Sequence, residues 1–232
     1  MLKLRHTNDG KPEIGVDEAG RGPLWGPMMA AAVLWPEESA WTDAHRELVG
    51  SIKDSKTISA KKRDTIATKI QSLASAFGIG TVSAEEIDML GATRANQLAF
   101  RRAIQDLVQR TPQTPYRILI DGVLPLNDAS EQETVITVVD GDATYLSIAA
   151  ASILAKVAHD TWVIDWCKSN TAEAAKYDLV SCKGYGTKKH RDGILTHGYT
   201  DLHRRLYLRK LIPDIVVSRY KFIEEESLDE TI

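Results

Sequence analysis

Cysteine is nearly absent: the 232-residue chain holds Cys167 and Cys182 and no others. Two thiols cannot build a disulfide framework or a cysteine-rich zinc site. Such a composition suits a reducing cytosol, so a cytoplasmic protein is expected. No apolar run approaches the ~20 residues needed to span a bilayer, which argues against a membrane partner. The opening stretch, "MLKLRHTNDGKPE", lacks the apolar core of a secretion signal and turns polar at once, so export is not expected. With 43% hydrophobic and 26% charged residues, the composition is that of a soluble globular chain, long enough for a substantial core.

Net charge is also small, at −3, but it is unevenly spread. The last ten residues, "IEEESLDETI", carry five acids and no base, and without them the formal charge becomes +2. Between Lys183 and Lys210 there are eight Lys or Arg against two acids. That patch reads either as a phosphate-binding surface or as a solvated helix face.

No internal repeat or low-complexity segment interrupts the chain. Residues 14–18 and 28–35 read as strands joined by "GRGPLWGP", which is too rich in breakers for a helix. A helix is expected to start near Ser59, where Ile66, Ile70, Leu73 and Phe77 share one face, and to stop at Gly78. "GIGTVS" reads as a short strand, and Ser83 with Glu86 forms a capping box opening a second helix through about Val108. "YRILIDG" and "TVITVVDGD" read as strands ending at Asp121 and near Asp142. A long helix follows from about Leu146, its "IAAAS" side small enough to lie close on a sheet. A glycine-rich turn in "CKGYGTKKHRDGILTHG" then leads into a short helix that Gly198 stops. This alternation gives an α/β fold with a mixed sheet.

The acids Asp17, Glu18, Asp121 and Asp142 all fall at strand ends or just beyond them, where ligands collect in open α/β sheets. Each has an ordinary reading. Asp121 can begin an Asp-Gly turn, Asp142 can cap a helix, and Asp17 and Glu18 can answer to Arg21. Together, three acidic strand ends from distant segments point to one pocket. Clustered carboxylates repel, and a hard divalent cation with oxygen ligands, such as Mg²⁺, resolves that conflict.

The chain resembles ribonuclease HII, the type 2 ribonuclease H family. The resemblance rests on "GVDEAGRGPLWGPMMAAAVL" (15–34), "KDSKTIS" (53–59), "ILIDG" (118–122), "GDATYLSIAAASILAKVAHD" (141–160), "KGYGTKKH" (183–190) and "HRRLY" (203–207). It implies a ribonuclease H-like α/β fold: a central mixed five-stranded sheet flanked by helices, with a C-terminal helical extension. The implied divisions are a catalytic core over 12–180, a substrate-binding extension over 181–222 and an acidic, disordered tail over 223–232.

By the same resemblance, Asp17, Glu18, Asp121 and Asp142 are the catalytic and metal-binding carboxylates, holding Mg²⁺ or Mn²⁺ for two-metal hydrolysis. The implied activity is endonucleolytic. It cuts the RNA strand of RNA–DNA hybrids and cuts 5′ to ribonucleotides embedded in duplex DNA, leaving 3′-hydroxyl and 5′-phosphate ends. Gly20, Arg21 and Gly22 match the motif that approaches the ribose, whose 2′-hydroxyl separates RNA from DNA. Tyr185 matches the ring that packs on the next sugar. Lys56, Lys183, Thr187 and Arg204 are the implied further substrate contacts, with Lys188, His190 and Arg205 beside them. No obligatory protein partner is implied, and a monomer is expected.

Some positions depart from the family pattern. Trp25 replaces a small residue, and it either packs on a neighbouring helix or narrows the cleft near Arg21. Asp140 sits beside Asp142 as a rival fourth ligand. His159 stands where arginine is usual, and "LGAT" (90–93) and Tyr207 also differ.

Overall fold

A computed structural model describes residues 2–52, 58–111, 116–126 and 133–217. Five strands form one sheet: β1 (Glu13–Ala19), β2 (Met28–Leu34), β3 (Ala76–Val82), β4 (Arg117–Asp121) and β5 (Thr134–Val138). Their order is β3-β2-β1-β4-β5. The β1–β2 and β2–β3 pairs are antiparallel, while β1–β4 and β4–β5 are parallel. The helices are α1 (Asp43–Val49), α2 (Ala60–Leu73), α3 (Ala84–Arg110), α4 (Gly141–Thr144), α5 (Leu146–Ser169), α6 (Thr171–Lys176), α7 (Leu179–Cys182), α8 (Lys188–His197) and α9 (Arg205–Leu208). The expected five-stranded mixed sheet flanked by helices is the fold observed.

Strand alternation divides the core into two layers. Ile14 and Val16 of β1 and Ile118 and Ile120 of β4 bury against Phe100, Ala103 and Leu107 of α3. On the other face, Ala31 and Val33 of β2 meet Ala149, Ala150 and Ile153 of α5. The small residues of α5 let it lie directly on β1. A Cβ at Gly15 would fall 2.2 Å from the Ser147 carbonyl carbon. A third cluster joins Trp25 to Val163 and Cys167 of α5 and to Tyr177, Leu179, Ile194 and Leu208. The C-terminal helices are thereby packed onto the loop between β1 and β2.

One expected boundary is corrected. Helix α2 ends at Leu73, and Phe77 and Gly78 lie in β3. The 3.6-residue stripe does run on to Phe77, but Ser75 N–H already bonds Leu34 O at 2.9 Å, so pairing with β2 ends the helix. Capping at Ser83 and Glu86 opens α3 as expected, and Gly91 (φ 78°) breaks its helical geometry after two turns. Helix α8 begins on Thr187, whose hydroxyl accepts from His190 N–H, and Gly198 (φ 79°) closes it. Lys56 and the 223–232 tail lie outside the described residues. Among the described residues, no helix is long and apolar enough to cross a membrane.

Candidate active site

The adjacent acids of β1 point to opposite faces of the sheet, as period-2 alternation requires. Asp17 faces α5 and hydrogen-bonds Ser152, while Glu18 faces α3 and takes a hydrogen bond from Asn96. Each carboxylate that the strand buries therefore has its own polar partner on the helix it faces. This answers how a buried strand tolerates two neighbouring acids. Glu18 also lies 3.7 Å from the Arg21 guanidinium.

Parallel pairing brings the other acids in. Val16 registers with Ile120, so the next residues, Asp17 and Asp121, share the α5 face on neighbouring strands. Asp121 Oδ1 accepts from Gly141 N–H (2.7 Å) and Asp142 N–H (3.2 Å), which ties the end of β4 to the first turn of α4. Asp142 is buried there. Its rival Asp140 is exposed, in left-handed geometry (φ 52°), and caps α4 through its carbonyl. The geometry favours Asp142 as the inward-facing acid.

The cluster is electrostatically uneasy. Burial, then the Glu18 and Asp121 charges, push the Asp17 carboxyl well above the usual carboxylate range. Burial also raises Glu18, against the pull of Arg21 and Asn96. Three ionised carboxylates in this space repel one another unless a cation screens them. Among the described residues, no three Asp, Glu, His or Cys side chains are grouped closely enough to hold a metal ion by themselves. An all-oxygen donor set left open fits an ion of the magnesium type, which keeps several waters and takes only one or two carboxylates directly.

The glycine motif borders this cluster. At Gly20 (φ +78°) a Cβ would fall 2.4 Å from the buried His159 ring. That close approach and the positive φ both require glycine. A Cβ on Gly22 would lie 3.7 Å from Tyr185 Cε1, so the motif and the tyrosine are neighbours. The Tyr185 ring is 40% exposed, and Lys156 Nζ sits 5.6 Å from its centre. Lys156 is itself held by Asp160 at 2.8 Å.

Several expected substrate contacts have other work in the structure. Arg204 is fully buried and donates to the carbonyls of Gly26 (2.9 Å), Arg21 (3.1 Å) and Pro27 (2.8 Å). This corrects the expectation that it reaches phosphate; it clamps the loop that carries the glycine motif. The Thr187 hydroxyl caps α8, Lys183 closes α7 and bonds Val180 O, and His190 is buried. Lys188 is exposed and paired with Asp192, and the half-exposed Arg205 lies 3.6 Å from Asp201.

Trp25 packs on a helix rather than into the cleft. It is fully buried, 5.5 Å from the Trp162 ring and 4.6 Å from Trp166 of α5. The flanking backbone is stitched to the C-terminal segment by Leu24 N–H to Gly184 O, Gly26 N–H to Leu202 O and Arg204 N–H to Leu24 O. Asn96, Ser152, Lys156 and His159 were not singled out as site residues from sequence. A polar residue on the buried stripe of α3 or α5 was the available signal for Asn96 and Ser152.

Comparisons with known proteins bear on the family and the fold. The family model for ribonuclease HII matches residues 14–210. A ribonuclease HII of Synechococcus sp. (strain WH7803) is 42% identical over 200 residues, covering 86% of this chain and 96% of the relative. That of Parabacteroides distasonis is 41% identical over 215 residues, covering 92% and 97%. Among solved structures, the ribonuclease H2 from Pyrococcus horikoshii OT3 superposes with a TM-score of 0.65 at 23% identity. That match covers 86% of this chain and 96% of the other, and it is a likeness of fold.

Proposed function

The chain belongs to the ribonuclease HII family and is a ribonuclease H endonuclease, and from that premise we propose which bonds it cuts and with which residues. The proposed activity is metal-dependent hydrolysis of the RNA strand of RNA–DNA hybrids. It extends to cutting 5′ to a ribonucleotide embedded in duplex DNA, leaving 3′-hydroxyl and 5′-phosphate ends and so starting ribonucleotide removal. The observation that carries this reading is the mutual electrostatic burden of Asp17, Glu18 and Asp121 at adjoining strand ends.

Asp17, Glu18, Asp121 and Asp142 would hold Mg²⁺ or Mn²⁺, which supplies an activated water and stabilises the leaving 3′-oxygen. Ser152 and Asn96 orient the first two carboxylates. Gly22, beside the Tyr185 ring, leaves room for a sugar edge, where a 2′-hydroxyl can be read by main-chain groups, while Gly20 lets the turn close on the His159 ring. The Tyr185 ring, beside Gly22, offers an apolar face to the neighbouring deoxyribose. Lys156 adds positive charge next to that ring.

Asp121→Asn tests the reading directly. It removes one negative charge but can still accept the two backbone N–H bonds at Oδ1. Cleavage of a hybrid in Mg²⁺ should be abolished while binding persists. Normal turnover by this variant would refute the metal assignment.

A further inference from the structure

Tyr185 stands in a turn whose side chain faces the glycine motif, yet its main chain is anchored from the opposite side by two buried histidines that the proposed chemistry does not use. Both His190 and His203 are almost completely buried. Their Nε2 atoms face each other at 3.2 Å. His190 Nδ1 lies 3.0 Å from Tyr185 O, and His203 Nδ1 lies 2.9 Å from Thr200 N.

These three contacts allow one arrangement of protons. The Thr200 amide can only donate, so His203 Nδ1 must accept, and the Thr200 hydroxyl at 3.0 Å adds a second bond there. The His203 proton is therefore on Nε2 and is donated to His190 Nε2. That leaves the His190 proton on Nδ1, donated to the Tyr185 carbonyl. Both rings must be neutral, because protonating either sets two donors face to face. Burial favours the neutral form of both. Around the pair lie Cys182 Sγ, 3.7 Å from His190 Nδ1, the Tyr177 ring, 4.8 Å from His203, and the charge of Asp178. Among the described residues, no third ligand joins them into a metal-binding group.

We propose that the His203–His190 pair is a fixed hydrogen-bond relay from the Thr200 amide to the Tyr185 carbonyl, and that the two histidines are positioning residues setting the tyrosine ring against Gly22. The proposal rests on the reading of Tyr185 as the sugar contact. The relay matters because Tyr185 is 40% exposed, so burial alone does not fix its ring. Its placement depends on the Tyr185 main chain, which is also held by Tyr185 N–H to Cys182 O (2.9 Å) and Thr187 N–H to Tyr185 O (2.8 Å). The Tyr185 carbonyl thus takes two N–H donors, one of which is set by a residue 13 positions beyond His190.

Long-range ¹⁵N–¹H spectra of the full chain at pH 7 should show His190 protonated on Nδ1 and His203 on Nε2. Identical tautomers, or a charged ring, would overturn the relay whatever the enzyme's activity. In kinetics, His190→Leu should lower kcat/KM on a duplex with a single ribonucleotide at least about tenfold, the scale expected of a displaced contact group. His190→Asn, whose amide can donate to the Tyr185 carbonyl, should recover most of that. In a Tyr185→Ala background His190→Leu should cost nothing further. Equal losses in both backgrounds, or no recovery by His190→Asn, would overturn the positioning role. Full activity of Tyr185→Ala would remove the sugar-contact reading and the relay's function with it, leaving the tautomer result intact, so the two failures are told apart.

Discussion

Arg204 Nη1 donates a 3.1 Å hydrogen bond to the main-chain oxygen of Arg21, a residue 183 positions earlier in the chain. The same guanidinium bonds the Gly26 and Pro27 carbonyls. Burial lowers its pKa to about 10, which leaves it charged at neutral pH. Arg204→Ala strands three carbonyls, each worth roughly 1–3 kcal/mol when buried and unmet. Urea denaturation should show a loss of about 3 kcal/mol or more. Arg204→Lys cannot reproduce the planar fork and should recover less than half. A loss below about 0.5 kcal/mol for Arg204→Ala, the range of ordinary surface changes, would contradict the clamp.

Asp17 makes the opposite prediction for stability. Its folded pKa is raised, so its contribution is favourable below the unfolded value and is lost as pH rises through the folded pKa. Asp17→Asn should therefore raise the Tm of the metal-free protein at pH 7 while abolishing cleavage. Mg²⁺ should raise the Tm of the parent, by about 2.7 kcal/mol of linkage at a hundredfold excess over Kd. The same addition should leave the variant unmoved.

Asn96 and Ser152 contact the two carboxylates proposed to hold the metal, and on that reading they would act on it through them. Loss of such partners typically weakens metal affinity or activity by about 10–100-fold. Asn96→Ala and Ser152→Ala should each shift the Mg²⁺ concentration for half-maximal cleavage upward by that range. Saturating metal should restore most of the rate. An unchanged metal titration would show the contacts to be structural only.

His203 supplies a pH signature. Burial, and then the neighbouring His190, hold it at about 3 against an ordinary 6.5. Stability from the neutral ring is full above pH 6.5 and declines as pH falls from there toward 3. At pH 5 the loss is about 2 kcal/mol. Denaturation at pH 7 and pH 5 should show the parent losing about that much more than His203→Gln.

Trp25 anchors the third core cluster rather than the cleft. Trp25→Ala should cost about 3–5 kcal/mol, the usual range for truncating a buried aromatic. Thermal unfolding is the readout. Substrate preference should be unaltered in molecules that remain folded.

Much of this architecture can be read from local pattern. The five strands, the Ser83 capping box and the Gly198 stop each depend on residues a few positions apart, and all appear in the structure. Asp121 and Asp142 were legible as acids at strand ends. The approach of Asp121 to Asp17 depends on the β1–β4 register, which only the sheet supplies. What stayed hidden was long-range. Arg204 reads as surface charge within a basic run, and its burial follows from carbonyls almost 180 residues away. The end of α2 was misplaced because helical periodicity continues past the point where pairing with β2 takes over.

The most direct test is cleavage in Mg²⁺ of three matched duplexes: one with a single embedded ribonucleotide, one with a hybrid stretch, and one of DNA alone. Cutting 5′ to the single ribonucleotide, cutting of the hybrid stretch, 3′-hydroxyl products and an untouched DNA duplex are the results expected. Cleavage of the all-DNA duplex alone, or binding of all three without any cut, would contradict the account.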